Sequence, residues 1–147
     1  MCTLNNVKSF LGVFPSDLLP HPLPQQHCTV LIITVPHIEI GSHWLAIRFE
    51  PRSSRAFYFD SFGRPPYIAN IQDFLRRNFT VREYNAIRLQ SPTTTLCGHY
   101  FCLFALHVDR GYSPKHFVSL FNRDVADDRI TRLFKFEFGL LRKMPRG

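Results

Sequence analysis

Apolar residues fall in dense blocks separated by polar gaps, and each block has a readable period. Thr29 to Val35 (TVLIITV) is β-branched and almost wholly apolar, which predicts a buried strand closed by Pro36. Ser42 to Phe49 (SHWLAIRF) and Ala56 to Phe59 (AFYF) predict further strands, and the EPRSSR between them is a polar turn of hairpin length. Asp60 to Pro66 (DSFGRPP) reads as a loop. From Tyr67 to Asn78 the spacing becomes helical: Ile68, Ile71, Phe74 and Leu75 share one face, and Arg76 and Arg77 sit near the C-terminal end, where cations oppose the helix dipole. Thr80 to Leu89 predicts a strand. Ser91 to Thr95 (SPTTT) predicts a loop with several N-cap candidates.

The next block, Leu96 to Val108 (LCGHYFCLFALHV), is apolar nearly all round, and its length favours helix over strand. Such a helix belongs in the middle of a domain. Gly111 and Pro114 close it, and Asp124 to Phe134 predicts another helix. Upstream, Pro15, Pro20, Pro22 and Pro24 mark an irregular connection. The order of strands, helix, strand and buried helix suits one α+β domain over residues 1–147, with an N-terminal extension at 1–26, a core at 27–135 and a basic tail at 136–147.

Composition narrows the picture. The 147 residues are 45% hydrophobic and 20% charged, with 15 Phe, which excludes a disordered chain and supplies a core. No apolar run reaches the roughly 18 residues of a membrane span, and the first ten residues lack the form of a secretory signal. The net charge is +7, and 14 of the 18 basic residues are Arg. Basic residues gather at Arg129, Arg132, Lys135, Arg142, Lys143 and Arg146. That end is the expected place for an anionic partner such as DNA, although a solvated surface has the same composition. The four cysteines, Cys2, Cys28, Cys97 and Cys102, include no C-x-x-C pair, so no zinc site and no disulfide scaffold is expected, and a reducing, intracellular compartment is.

One constellation carries chemistry. Cys97 falls in the first turn of the buried helix, where the dipole favours the thiolate, and Gly98 beside it lets a substrate backbone come close. Taken alone, Cys97 is a small buried hydrophobe, as Cys102 on the same helix reads. His43 opens one strand of the hairpin and Asp60 closes the other. Side by side, the carboxylate would hold one imidazole nitrogen while the other nitrogen takes the thiol proton and returns it to a leaving amine. Gln90 lies seven residues before Cys97, where its amide could share a developing oxyanion with the Cys97 N–H. His99 and His107 read as ordinary helix positions. His21, His27, His37 and His116 show no partner pattern. No phosphate-binding glycine motif is present.

Gly41-Ser42-His43-Trp44, Phe59-Asp60-Ser61-Phe62-Gly63, Gln90-Ser91-Pro92 and Leu96-Cys97-Gly98, in that order, resemble the adenovirus-protease-like (adenain-like) cysteine peptidases. Their wider kin are the SUMO (ubiquitin-like-protein) proteases. The His-to-acid step of 17 suits both branches, while the Gln-to-Cys step of seven looks adenoviral. Phe10 to Asp17 (FLGVFPSD) and CGHY are similar to phrases in the proteases of Maverick/Polinton-type transposons and adenovirus-like elements. The resemblance covers roughly residues 10–135. It implies a papain-like α+β fold of the adenain/ubiquitin-like-protease type, a mixed sheet with a buried nucleophile helix.

It also implies roles. Cys97 would be the nucleophile, His43 the base and acid, Asp60 the residue that orients His43, and Gln90 the oxyanion donor. Trp44 would wall a narrow cleft, with core packing an equal alternative. Implied substrates are capsid or core precursors cut after glycine, with an isopeptidase of ubiquitin-like proteins as the alternative. A non-catalytic DNA-binding or capsid protein is a third reading. No cofactor or membrane is implied. The expected state is a monomer in the host nucleus or a virus-like particle, open to stimulation by DNA. Adenoviral enzymes also tether an activating peptide through a cysteine between the acid and the Gln. None occurs here from Ser61 to Leu96.

Overall fold

The computed structural model describes residues 8–25, 29–34, 44–89, 97–121 and 126–143, and within these the side chains outside 29–34, 97, 126–128 and 138–143. The elements are β1 (Phe10–Pro15), β2 (Thr29–Thr34), β3 (Trp44–Glu50), β4 (Arg55–Phe59), α1 (Ala69–Asn78), β5 (Val81–Tyr84), α2 (Cys97–Asp109), α3 (Pro114–Ser119) and α4 (Ala126–Lys143). The strands form one mixed sheet in the order β1-β2-β3-β4-β5. β1 pairs with β2 and β4 with β5 in parallel, and β3 runs antiparallel to both β2 and β4. The α+β class and the mixed sheet expected from the resemblance are what the chain adopts.

Alternation along the central hairpin explains why helices cover both faces. Leu45, Ile47 and Phe49 of β3 join Ala56 and Tyr58 of β4 in one core cluster with Ile71, Phe74 and Leu75 of α1. Ala46, Phe57 and Phe59 point the other way, into a second cluster built on α2, Phe117 of α3 and Ile130 of α4. The second cluster is strongly aromatic: Phe59 stacks on Phe104 with ring centroids 4.5 Å apart, and Phe117 meets both rings edge-on. Each fully buried ring of this kind is worth about 2–3 kcal/mol of transfer free energy. α2 is therefore packed on nearly all sides, as its uniform hydrophobicity predicts.

Four elements differ from the sequence pattern. β1 lies within the stretch expected as an extension, and its start is tied to the end of α2 because the backbone N–H and hydroxyl of Ser9 both donate to Asp109 Oδ1, at 2.9 and 2.7 Å. β5 ends at Tyr84, five residues short of the expected strand end. α3 begins at Pro114, which the pattern took only as a stop. Ser113 accepts from the His116 N–H as its N-cap, and proline is well suited to a first helical position. α4 continues through Lys143 into the expected tail. None of the described helices is long and apolar enough to cross a membrane.

A histidine pair joins α2 to α3. His107 stacks on Tyr112 (4.3 Å) and on His116 (5.3 Å), and its Nε2 is buried with no partner among the described residues. Burial lowers the His107 pKa, as do His116 and Arg110, while Glu137 opposes them. The folded chain thus refuses a proton that the unfolded chain takes up near pH 6.5. Stability should fall as pH drops from 7 toward 5. His107→Phe keeps the ring stack and removes the titration, so thermal melts should show a shallower loss for that variant over the same range.

Candidate active site

β4 ends at Phe59, and Asp60 follows it, fully buried. Its carboxylate is held from two sides: the Phe62 N–H donates to Oδ1 at 2.8 Å, and Arg64 Nε donates to Oδ2 at 3.2 Å. The Gly63 N–H donates to the Asp60 carbonyl at 2.8 Å and closes the turn. The Arg64 guanidinium lies over the rings of Phe62 and Tyr67, 5.2 and 4.7 Å from their centroids, so this cation is oriented by aromatic faces as well as by the acid. Burial, first, and then the nearby Asp60 push the Tyr58 phenol well above its ordinary range, so its buried hydroxyl stays neutral.

The turn at Asp60 is fastened to the segment after β5. Asn85 is buried, and its amide takes both backbone groups of Asp60: Oδ1 accepts from the Asp60 N–H at 2.9 Å, and Nδ2 donates to the Asp60 carbonyl at 2.5 Å. Nδ2 also donates to the Ile87 carbonyl at 3.2 Å, and the Leu89 N–H donates to the Ser61 carbonyl at 2.8 Å. Gly63 has φ +71, and a Cβ there would stand 2.6 Å from Arg88 N and 2.7 Å from the Ile87 carbonyl carbon. Only glycine permits so close a passage of two backbones.

The nucleophile candidate opens α2, whose first residue is Cys97. Tyr100, in the first turn, donates from its hydroxyl to the Leu89 carbonyl at 3.2 Å, which links this helix to the residue before Gln90. Gly98 is half-buried, and a Cβ built on it would meet no atom within 4 Å. Trp44 packs edge-on against Phe101 of α2 with centroids 5.1 Å apart, against the α2-side core. β3 begins with Trp44, the residue after His43, and Ala46 pairs with Phe59, the residue before Asp60.

Among the expected site residues, Asp60, Trp44 and Gly98 are described. His43, Gln90 and the Cys97 side chain lie outside the described residues. Asn85, Arg64 and Tyr100 escaped the sequence reading. Asn85 and Tyr100 act across long chain separations, and no local pattern marks them. Cys102, read as a plain buried thiol, is buried but disulfide-bonded. His99 lies 4.2 Å from the Phe134 ring, and burial lowers its pKa. No group of three or more His, Cys, Asp or Glu among the described residues could hold a metal ion.

Comparison with known proteins puts this arrangement in a lineage. The family model described as Adenovirus endoprotease matches residues 10–119. The chain is 29% identical over 111 residues to the protease of Porcine adenovirus A serotype 3, covering 66% of this chain and 54% of that protein. It is 27% identical over 108 residues to the protease of Human adenovirus B serotype 3, covering 65% and 52%. The chain thus spans about half the length of these curated relatives. Among solved structures, the selenomethionine form of the ASFV pS273R protease shares the fold at a TM-score of 0.52 and 21% identity, covering 73% of this chain and 42% of that one. With β1, the Asp60 turn, the Asn85 segment and α2 all inside the matched range, the chain belongs to the adenovirus endoprotease family.

Proposed function

We propose that this chain is a cysteine endopeptidase in which Cys97 attacks the scissile carbonyl. In this reading His43 takes the thiol proton and delivers it to the leaving amine, and Asp60 orients and charges the imidazole. Gln90 and the Cys97 N–H receive the oxyanion. The observation that supports it best is Asp60 itself. A carboxylate fully buried at a strand end, anchored by a backbone N–H and an arginine, is expensive to keep unless its position has a use. The helix N-terminus at Cys97 supports a thiolate there.

The proposed substrates are capsid or core precursors of a virus or virus-like element, Polinton-type transposons included, cleaved after glycine. Trp44 and Gly98 would border the cleft. DNA is the proposed stimulating partner, with Arg129, Arg132 and Lys135 exposed along α4 as its contact. Binding there should weaken steeply with salt.

Alkylation of the reduced protein between pH 5 and 9, with mass mapping of each cysteine, tests the central claim. Cys97 should react at least about tenfold faster than Cys2 and Cys28 near pH 6, and His43→Ala should remove that advantage. Equal rates at all sites, with and without DNA, would remove the nucleophile. A panel of glycine-containing peptides set against a ubiquitin-like tail fusion then separates endopeptidase from isopeptidase.

A further inference from the structure

We propose that Asn85 is a positioning residue that locks the acid turn and the segment leading to Gln90 into one unit. The inference rests on the roles given above to Asp60 and Gln90, and it adds the device that sets their mutual position.

β4 pairs in parallel with β5 as far as Tyr58 and Tyr84, where the backbone ladder stops. Asn85 is the next residue, and it lies outside the strand. Its side chain then does what another strand residue would have done, satisfying both the N–H and the carbonyl of Asp60. The amide is suited to this because it carries a donor and an acceptor on one short arm. At 4% exposure, no bulk water stands ready to replace either bond.

The same Nδ2 reaches the Ile87 carbonyl, so one group joins the Asp60 turn to the chain that runs to Gln90. Two further bonds extend the connection. Ser61 accepts from Leu89, and Leu89 accepts from Tyr100 of α2. The Leu89 carbonyl belongs to the peptide unit that joins Leu89 to Gln90, so the described chain is held up to that point. Chain segments bearing the acid, the oxyanion donor and the nucleophile are thereby connected through Asp60–Asn85, Ser61–Leu89 and Leu89–Tyr100. Sites of this kind need their groups held within about 0.5 Å of the working geometry, and bonds of this sort supply that constraint.

Alanine at this position would take the Asn85 acceptor from the Asp60 N–H and leave the Asp60 carbonyl with the Gly63 N–H but without the Asn85 amide. Aspartate would keep the acceptor but set a carboxylate oxygen against the Asp60 carbonyl. The test is steady-state cleavage of a glycine-containing peptide by the full chain carrying Asn85→Ala, Asn85→Asp or Asn85→Ser. Leu75→Ala, in the α1-side core, serves as a destabilised control.

For the Asn85 variants, kcat should fall at least about tenfold with KM within about twofold, because geometry is lost and binding is not. The alkaline limb of the kcat/KM profile should also move to lower pH, since a displaced Asp60 holds the imidazolium less strongly. Leu75→Ala should lower the melting temperature without moving that limb. Asn85 variants that melt lower but keep kcat and the alkaline limb would overturn the inference alone. So would failure of all three to fold while Leu75→Ala folds, since Asn85 would then be a purely structural residue. Peptide cleavage that survives Cys97→Ala would overturn the cysteine-peptidase reading itself, and the inference with it.

Discussion

Cys97→Ala should abolish peptide cleavage, lowering kcat by about 10⁴- to 10⁶-fold toward the uncatalysed rate, as removal of a covalent nucleophile does. The fold should tolerate it. Alanine is a better helix former than cysteine, and the change removes a single sulfur from the first turn of α2. The informative comparison is therefore between activity and binding. Substrate peptides should bind Cys97→Ala with nearly wild-type affinity, because the cleft walls are unchanged. Fluorescence titration with a labelled glycine-containing peptide reads this directly. Asp60→Asn should give an intermediate loss of about 10²- to 10⁴-fold, because an amide can hold the imidazole but cannot favour its protonated form. Substantial turnover by Cys97→Ala would exclude the thiol mechanism.

Gly63→Ala should cause the largest loss of stability by a single methyl group. At φ +71 an added Cβ costs about 1–2 kcal/mol in backbone conformation alone. That Cβ would also stand within 2.9 Å of three backbone atoms of Ile87 and Arg88, which cannot rotate away as a side chain could. Overpacking of this kind costs about 1–3 kcal/mol more. The total, about 2–5 kcal/mol, corresponds to a drop of roughly 10 °C in melting temperature for a domain of this size. Cleavage should fall with it, because the clash pushes the acid turn away from the segment before Gln90. Gly98→Ala is the matched control. Its Cβ meets nothing within 4 Å, so stability should hold or rise by up to about 1 kcal/mol. Equal melting temperatures for the two variants would disprove the close approach at Gly63.

The central hairpin, α1 and α2 were legible in the sequence because each buries a face whose period is unbroken. The stretch WLAIRF, Trp44 to Phe49, carries apolar side chains into two cores at once, and so reads as a continuous run. β1 was illegible because Gly12 interrupts it and Pro15 ends it. Its register shifts between Phe10 and Gly12, which breaks alternation as well. β5 was overextended because Asn85 to Leu89 pairs through a side chain and single backbone bonds, and composition cannot tell these from a strand. At the candidate site, the place of Asp60 at the end of β4 was readable from AFYF. Its partners were not, since Asn85 contacts it from 25 residues away.

The two-sided burial of β3 bears on folding fidelity. Arg48 sits between Ile47 and Phe49 and is nearly buried on the α2 side of the sheet. A slip of one residue against β4 would exchange the faces, thrust a guanidinium into the layer of Ile71, Phe74 and Leu75, and pull Leu45, Ile47 and Phe49 out of it. Misregistered hairpins would thus be rejected early by an unpaired buried charge. The correct pairing of Ala46 with Phe59, on which the acid's placement depends, is selected by the penalty on its nearest competitor.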